Sequence, residues 1–265
     1  MTGLRLSQIV EIADRLFPFN LAEPWDNCGI QIGDPDRLVS AIAFSLDPSV
    51  LTINYAVEHS CALLITHHPV LLEPLRTLTW NHYPGRTLLA AARSGVDILS
   101  LHTNLDAAPG GLNDYLAKVI GMEEVITPSA APCARMGMLA SPIRIAELAA
   151  GLARVLNLPH LRVVSESDCE VQSVFSVCGS GMGYLKQALL YKPDVMVTGD
   201  VKYHAACEAL EMGIPVIDAG HFGLEKGAPE VLATAFRKEF EHMGLDIACF
   251  TCEREKDPFF DIYHC

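Results

Sequence analysis

The chain has 265 residues, half of them hydrophobic, and a formal net charge of −13. That length holds one large α/β domain or two smaller ones, and the apolar content supplies a sizeable core, which excludes a disordered chain. The acidic balance disfavours nucleic acid as a partner, because a phosphate backbone meets no basic face, and no apolar run approaches the roughly 18 residues of a membrane span.

The opening segment, MTGLRLSQIVEIADRLF, reads as an amphipathic helix without the basic region, apolar core and cleavage site of a signal peptide. The expectation is therefore a soluble cytoplasmic protein. Next, SAIAFSLD reads as a strand, PSVLTINYAVEHS as a helix and ALLITHHP as a strand. After a loop, RTLLAAARSG reads as a helix and VDILSLHTNLD as a strand. The stretch from about 122 to 170 contains Pro128, Pro132 and Pro142 and reads as a connection with one packed helix, RIAELAAGLARVL. The earlier order then returns: SVFSVCGSG, DVMVTGDVKYH and IPVIDAGHFGLE as strands, separated by the helices MGYLKQALLYK and AACEALEMG. The class is α/β, with two similar β-α-β-α-β halves, 1–125 and 126–265, built on mainly parallel sheets that face a shared metal site. The closing segment, 230–265, is expected to pack back on the first half.

Ligands of parallel α/β sheets bind beyond the carboxyl ends of the strands. Those ends here carry metal-capable side chains. His67 and His68 follow ALLIT, and Pro69 turns the chain away so that both imidazoles can address one site. Asp106 follows another strand among small residues, where a carboxylate can approach an ion closely. The alternative for Asp106 is an Asx-turn or helix cap. His221 and Glu225 share one face of a helical turn by their spacing, the alternative being a loop histidine and a capping glutamate. Three histidines and two carboxylates exceed the needs of one catalytic zinc and suit two ions roughly 3.5–4 Å apart, bridged by a carboxylate and a water. Zn, Fe, Mn and Ni all accept this donor set.

Gly179-Ser180-Gly181-Met182-Gly183 lies between a strand and a helix, as a tight turn or as an amide cradle for an anion near the metals. Trp25, Asp26 and Asn27 line the pocket or buttress a strand, Asp47 supports a ligand, and His82 and Tyr83 form a lip. Nine cysteines, an odd count, do not make a disulfide framework, and the Cys249–Cys252 pair falls in a strand rather than at a helix start.

The blocks AEPWDNCGIQIGD, SLDPS, LLITHHPVLLEPL, LHTNLDAAPGGLND, CGSGMG, VTGDVKYHAACEA, IDAGHFGLE and KDPFFDIY span nearly the whole chain. In these blocks the chain resembles the NIF-three-like family of dinuclear metal-centre proteins, often labelled GTP cyclohydrolase 1 type 2 homologues. Cys28 and Phe222 vary the usual pattern and touch no proposed ligand. The resemblance implies that His67, His68, Asp106, His221 and Glu225 are the metal ligands, with carboxylates of the Asp106 and Glu225 type bridging two divalent ions. It further implies that His102 and His204 stand beside the metals as acid–base or orienting groups, and that the chain assembles as a homohexameric ring. The expected function is a metal-dependent hydrolase acting on a small anionic substrate, nucleotide-like or otherwise phosphorylated, with GTP ring opening as the reaction the family label points to. The alternative is a metallochaperone-like oligomeric scaffold in which the ions serve binding rather than turnover.

Overall fold

In the computed structural model, which describes residues 3–260 and 262, the central parallel strands form where the sequence is largely apolar and the helices where the apolar period lengthens. Met1, Thr2, Asp261 and residues 263–265 lie outside the described residues, and with them the first two positions of the opening segment and parts of KDPFFDIY. The chain runs through β1 (Leu4–Arg5), α1 (Leu6–Leu16), β2 (Gly29–Ile32), β3 (Leu38–Val39), β4 (Ala41–Ser45), α2 (Val50–Glu58), β5 (Leu63–Thr66), α3 (Gly85–Ser94), β6 (Asp97–Ser100) and α4 (Thr103–Ala107). It continues through α5 (Leu112–Ile120), β7 (Glu123–Ile126), β8 (Arg135–Arg144), α6 (Ile145–Val155), β9 (Arg162–Val164), β10 (Glu170–Ser176) and α7 (Leu185–Tyr191). It closes with β11 (Val195–Thr198), α8 (Tyr203–Glu211), β12 (Val216–Asp218), α9 (His221–Glu225), α10 (Ala228–His242) and β13 (Ala248–Thr251).

The described chain divides into two units. One comprises the residues up to Gly111 together with Gly227–Glu255, and the other comprises Leu112–Lys226 with the residues from Lys256. The first unit holds a five-stranded sheet in the order β13-β4-β5-β6-β2, parallel except for β2. All four residues of β5 and of β6 are buried, as expected for central parallel strands covered on both faces. The chain returns to this unit through α10, whose Phe236 ring lies 5.6 Å from Phe44 and 5.8 Å from Phe240, and through β13, which pairs with β4.

The second unit holds a six-stranded sheet in the order β7-β8-β10-β11-β12-β9, in which β10, β11 and β12 run parallel and the outer strands antiparallel. Both units therefore carry the β-α-β-α-β run with its three strands side by side in sequence order: β4-β5-β6 in one, β10-β11-β12 in the other. The stretch between 122 and 170 is more than a connection with one helix. It supplies α6 as expected, but also β7, β8 and β9, and β8 is ten residues long. Only the first half of β8 alternates toward the core, and its second half is mostly exposed and contains Pro142. Such an antiparallel strand lacks the continuous apolar run by which the parallel strands announce themselves.

Local chemistry fixes several boundaries. Ser49 caps α2 by accepting the Thr52 amide at 3.2 Å, while Thr52 Oγ1 accepts the Ser49 amide at 2.9 Å. Ser49→Ala is expected to lower stability by about 1 kcal/mol in urea unfolding with an unchanged slope. Cys249 lies within β13, and burial pushes its thiol up to about 11, so at neutral pH it is a thiol in a strand rather than an activated redox nucleophile. Among the described residues no helix is long and apolar enough to cross a membrane.

Candidate metal centre

In the first unit the buried run of β5 delivers His67 and His68, and β6 delivers His102 two residues beyond its end. The backbone of both histidines stays hydrogen-bonded alongside the end of β4, with His67 N donating to Ser45 O at 3.2 Å and His68 N to Leu46 O at 3.0 Å. His67 is fully buried, and its Nδ1 donates to Leu101 O at 3.0 Å. His68 Nδ1 donates to Asp47 Oδ1 at 2.8 Å, and His102 Nδ1 donates to Asp26 Oδ1, also at 2.8 Å. A carbonyl or carboxylate oxygen only accepts, so the Nδ1 of each ring carries a proton and the acceptor nitrogen is Nε2. One ligand nitrogen from each of His67, His68 and His102 lies within 4.8 Å of the other two.

Asp106 sits in the short helix α4 and is buried, with Oδ1 3.9 Å from His67 Nε2. That separation exceeds a hydrogen bond, yet it falls within the roughly 4.2 Å that can separate two ligands each about 2.1 Å from one ion. Asp26 holds His102 and the start of α4 together. Its carboxylate also accepts the Thr103 amide at 3.0 Å, the Thr103 hydroxyl, and the Cys28 thiol at 3.1 Å. Burial opposes ionisation of Asp26, but the hydrogen bond from His102, with the bonds from Thr103 and Cys28, outweighs it and holds the carboxyl well below the usual carboxylate range. The Cys28 thiol is pushed up to about 12 by burial and by the Asp26 charge, so it serves as a hydrogen-bond donor.

In the second unit His221 and Glu225 occupy the first and last positions of α9. His221 Nε2 lies 2.8 Å from Glu225 Oε2, and His221 Nδ1 donates to Asp200 Oδ2 at 2.8 Å. Asp200 follows β11 with a left-handed φ of 54°, a conformation aspartate tolerates better than most residues. Glu225 is buried and packs against Gly179, where a Cβ would overlap Glu225 Oε1 and lie 3.3 Å from His221 Cε1. The glycine loop thus serves close approach to a carboxylate. The Gly181 amide donates to Thr198 Oγ1 at 2.8 Å, which removes that donor from an anion cradle.

His204, in the first turn of α8, is exposed with its ring 5.3 Å from Tyr203, and it belongs to no cluster of three or more potential ligands among the described residues. His102 does belong to one, with His67 and His68. The sequence points to Asp47 as a support for a ligand and leaves Asp26 between two roles, and it assigns none to Asp200. The signal common to Asp47 and Asp200 is an aspartate two residues past a parallel strand. The donor chemistry fits first-row divalent ions: imidazoles whose second nitrogen is anchored by a carbonyl or carboxylate, beside buried carboxylates.

A family profile described as Duf34/NIF3 (NGG1p interacting factor 3) matches residues 4–258. A relative from Campylobacter jejuni named "GTP cyclohydrolase 1 type 2 homolog" is 32% identical over 260 residues, covering 97% of this chain and 99% of the relative. A Helicobacter pylori protein named "GTP cyclohydrolase 1 type 2" is 31% identical over 228 residues, covering 86% of this chain and 90% of that protein. Among solved structures, a Staphylococcus aureus hypothetical protein superposes with a TM-score of 0.92 at 27% identity, covering 98% of this chain and 100% of that one.

Proposed function

Because the chain belongs to the Duf34/NIF3 family, we propose that it is a cytoplasmic, metal-dependent hydrolase whose ligands for two divalent ions are His67, His68, Asp106, His221 and Glu225. The observation that carries this reading is the anchoring of His67 and His68 through Nδ1, to Leu101 O and Asp47 Oδ1, which leaves Nε2 as the coordinating nitrogen in both. A core histidine needs no such uniform tautomer. Two divalent ions held there supply Lewis acidity and lower the pKa of water. His102, oriented by Asp26, is the group placed to move a proton at Nε2, with His204 as the exposed alternative. The substrate is a nucleotide-like or otherwise phosphorylated small molecule, since cations offset the net charge of −13 locally. GTP is the first candidate, from the names of the relatives. The working assembly is a homohexameric ring.

The test is metal analysis of freshly purified protein, then turnover of GTP after chelation and add-back of Zn, Mn, Fe or Ni. The parent is expected to bind two equivalents, and His68→Ala and Glu225→Ala each to lose metal and activity together. Unchanged metal content in both variants would sink the ligand assignment. Full metal binding with no turnover of any phosphorylated substrate would favour the metallochaperone-like scaffold.

A further inference from the structure

Glu255 lies far along the chain from His68 yet closes the set of contacts that aims it. We propose that Glu255 is a positioning residue for His68, acting through Asp47; the proposal rests on His68 being a metal ligand.

Beyond β13 the chain stays fastened to the sheet of the first unit. Cys252 N donates to Phe44 O at 2.8 Å, and Arg254 makes two bonds to the Glu58 carboxylate at 3.0 and 2.6 Å while lying 5.1 Å from the centre of the Tyr55 ring. So held, Glu255 turns its carboxylate onto the two residues that follow β4. Its Oε1 accepts the Asp47 amide at 2.7 Å and its Oε2 the Leu46 amide at 2.8 Å. The Asp47 carbonyl is held too, accepting from Ser45 Oγ at 3.1 Å and Thr52 Oγ1 at 2.9 Å.

Those two residues are the ones His68 leans on. Asp47 takes its ring through Nδ1, and Leu46 O takes its backbone amide at 3.0 Å. The Asp47 side chain is 55% exposed, so packing does not immobilise it. The backbone clamp holds the segment that carries it, and the charge-assisted half of that clamp is Glu255. A glutamine at 255 keeps the shape but turns an NH2 group toward one of the two amide donors, so one bond becomes a donor–donor contact. Groups that support a ligand from behind typically change metal affinity by about 10–100-fold when replaced.

Two readouts test the proposal. In metal-free protein, ring 15N spectra are expected to show His68 as the Nδ1–H tautomer in the parent and as a mixture in Glu255→Gln. In competition titrations with Zn2+, Glu255→Gln is expected to bind about tenfold more weakly, and Asp47→Asn by a similar factor. The double variant is expected to be no weaker than Asp47→Asn alone, because both substitutions cut one chain of contacts. Additive losses, or a parental tautomer in Glu255→Gln, would overturn the proposal. If the glutamine variant does not fold, Glu255→Asp, which keeps the charge but withdraws the oxygens by one carbon, goes through the same measurements. Weakened binding in His68→Ala with parental binding in Glu255→Gln defeats this inference alone. Parental binding in His68→Ala defeats the ligand assignment beneath it.

Discussion

Gly179→Ala is expected to lower metal affinity on the order of 100-fold and to destabilise the protein by about 2–4 kcal/mol. The added methyl would overlap Glu225 Oε1 and come within 3.1 Å of Glu225 Cδ. The glycine cannot step back, because its carbonyl accepts the Gly199 amide at 2.8 Å and Thr198 Oγ1 at 3.2 Å. The residue also sits at φ +59°, where any Cβ adds strain. Displacement therefore falls on the Glu225 carboxylate, which is buried and bonded to His221. Urea unfolding and a zinc competition assay read the two effects separately. An alanine variant that folds as stably as the parent and binds zinc as tightly would refute the close-approach role of this glycine.

That role also marks what a sequence can disclose. The β-α-β-α-β repeat was legible because its central strands are buried on both faces and so appear as runs such as LLIT and VMVT. The pairing of His221 with Glu225 was legible because a helical turn fixes their spacing. The long strand β8 was not, since half of it faces solvent and its proline mimics a loop. The groups that orient the histidines were harder still. Asp26 reaches His102 across 76 positions, and Glu255 reaches Asp47 across 208, and no periodicity links positions so far apart. The close approach of the buried Glu225 carboxylate, which only the folded chain reveals, is what turns Gly179 from a turn residue into a wall of the site.

Asp26→Ala is expected to destabilise the first unit by about 3–5 kcal/mol. The Asp26 side chain is wholly buried, and its two oxygens gather donors from four neighbours: the ring of His102, the amide and hydroxyl of Thr103, the thiol of Cys28 and the amide of Asn27. Truncation removes this acceptor from all of them at once, although the Cys28 thiol keeps Asn104 Oδ1 at 3.1 Å. Thr103 is the first residue of α4, so the same loss loosens the helix that carries Asp106. Asp26→Asn isolates the charge, because it keeps the shape and one acceptor while its NH2 faces a donor, and a loss of about 2 kcal/mol is expected. The pH dependence has a definite sign. The folded-state pKa of Asp26 lies below its unfolded value, so its contribution is complete at pH well above about 4 and fades as pH falls below that. The stability gap between parent and Asp26→Asn should therefore be widest near neutrality and narrow steadily in acid. Urea unfolding of both proteins between pH 7 and pH 3 measures it, and a gap that widened toward acid would show that Asp26 is not held ionised by His102 and Thr103.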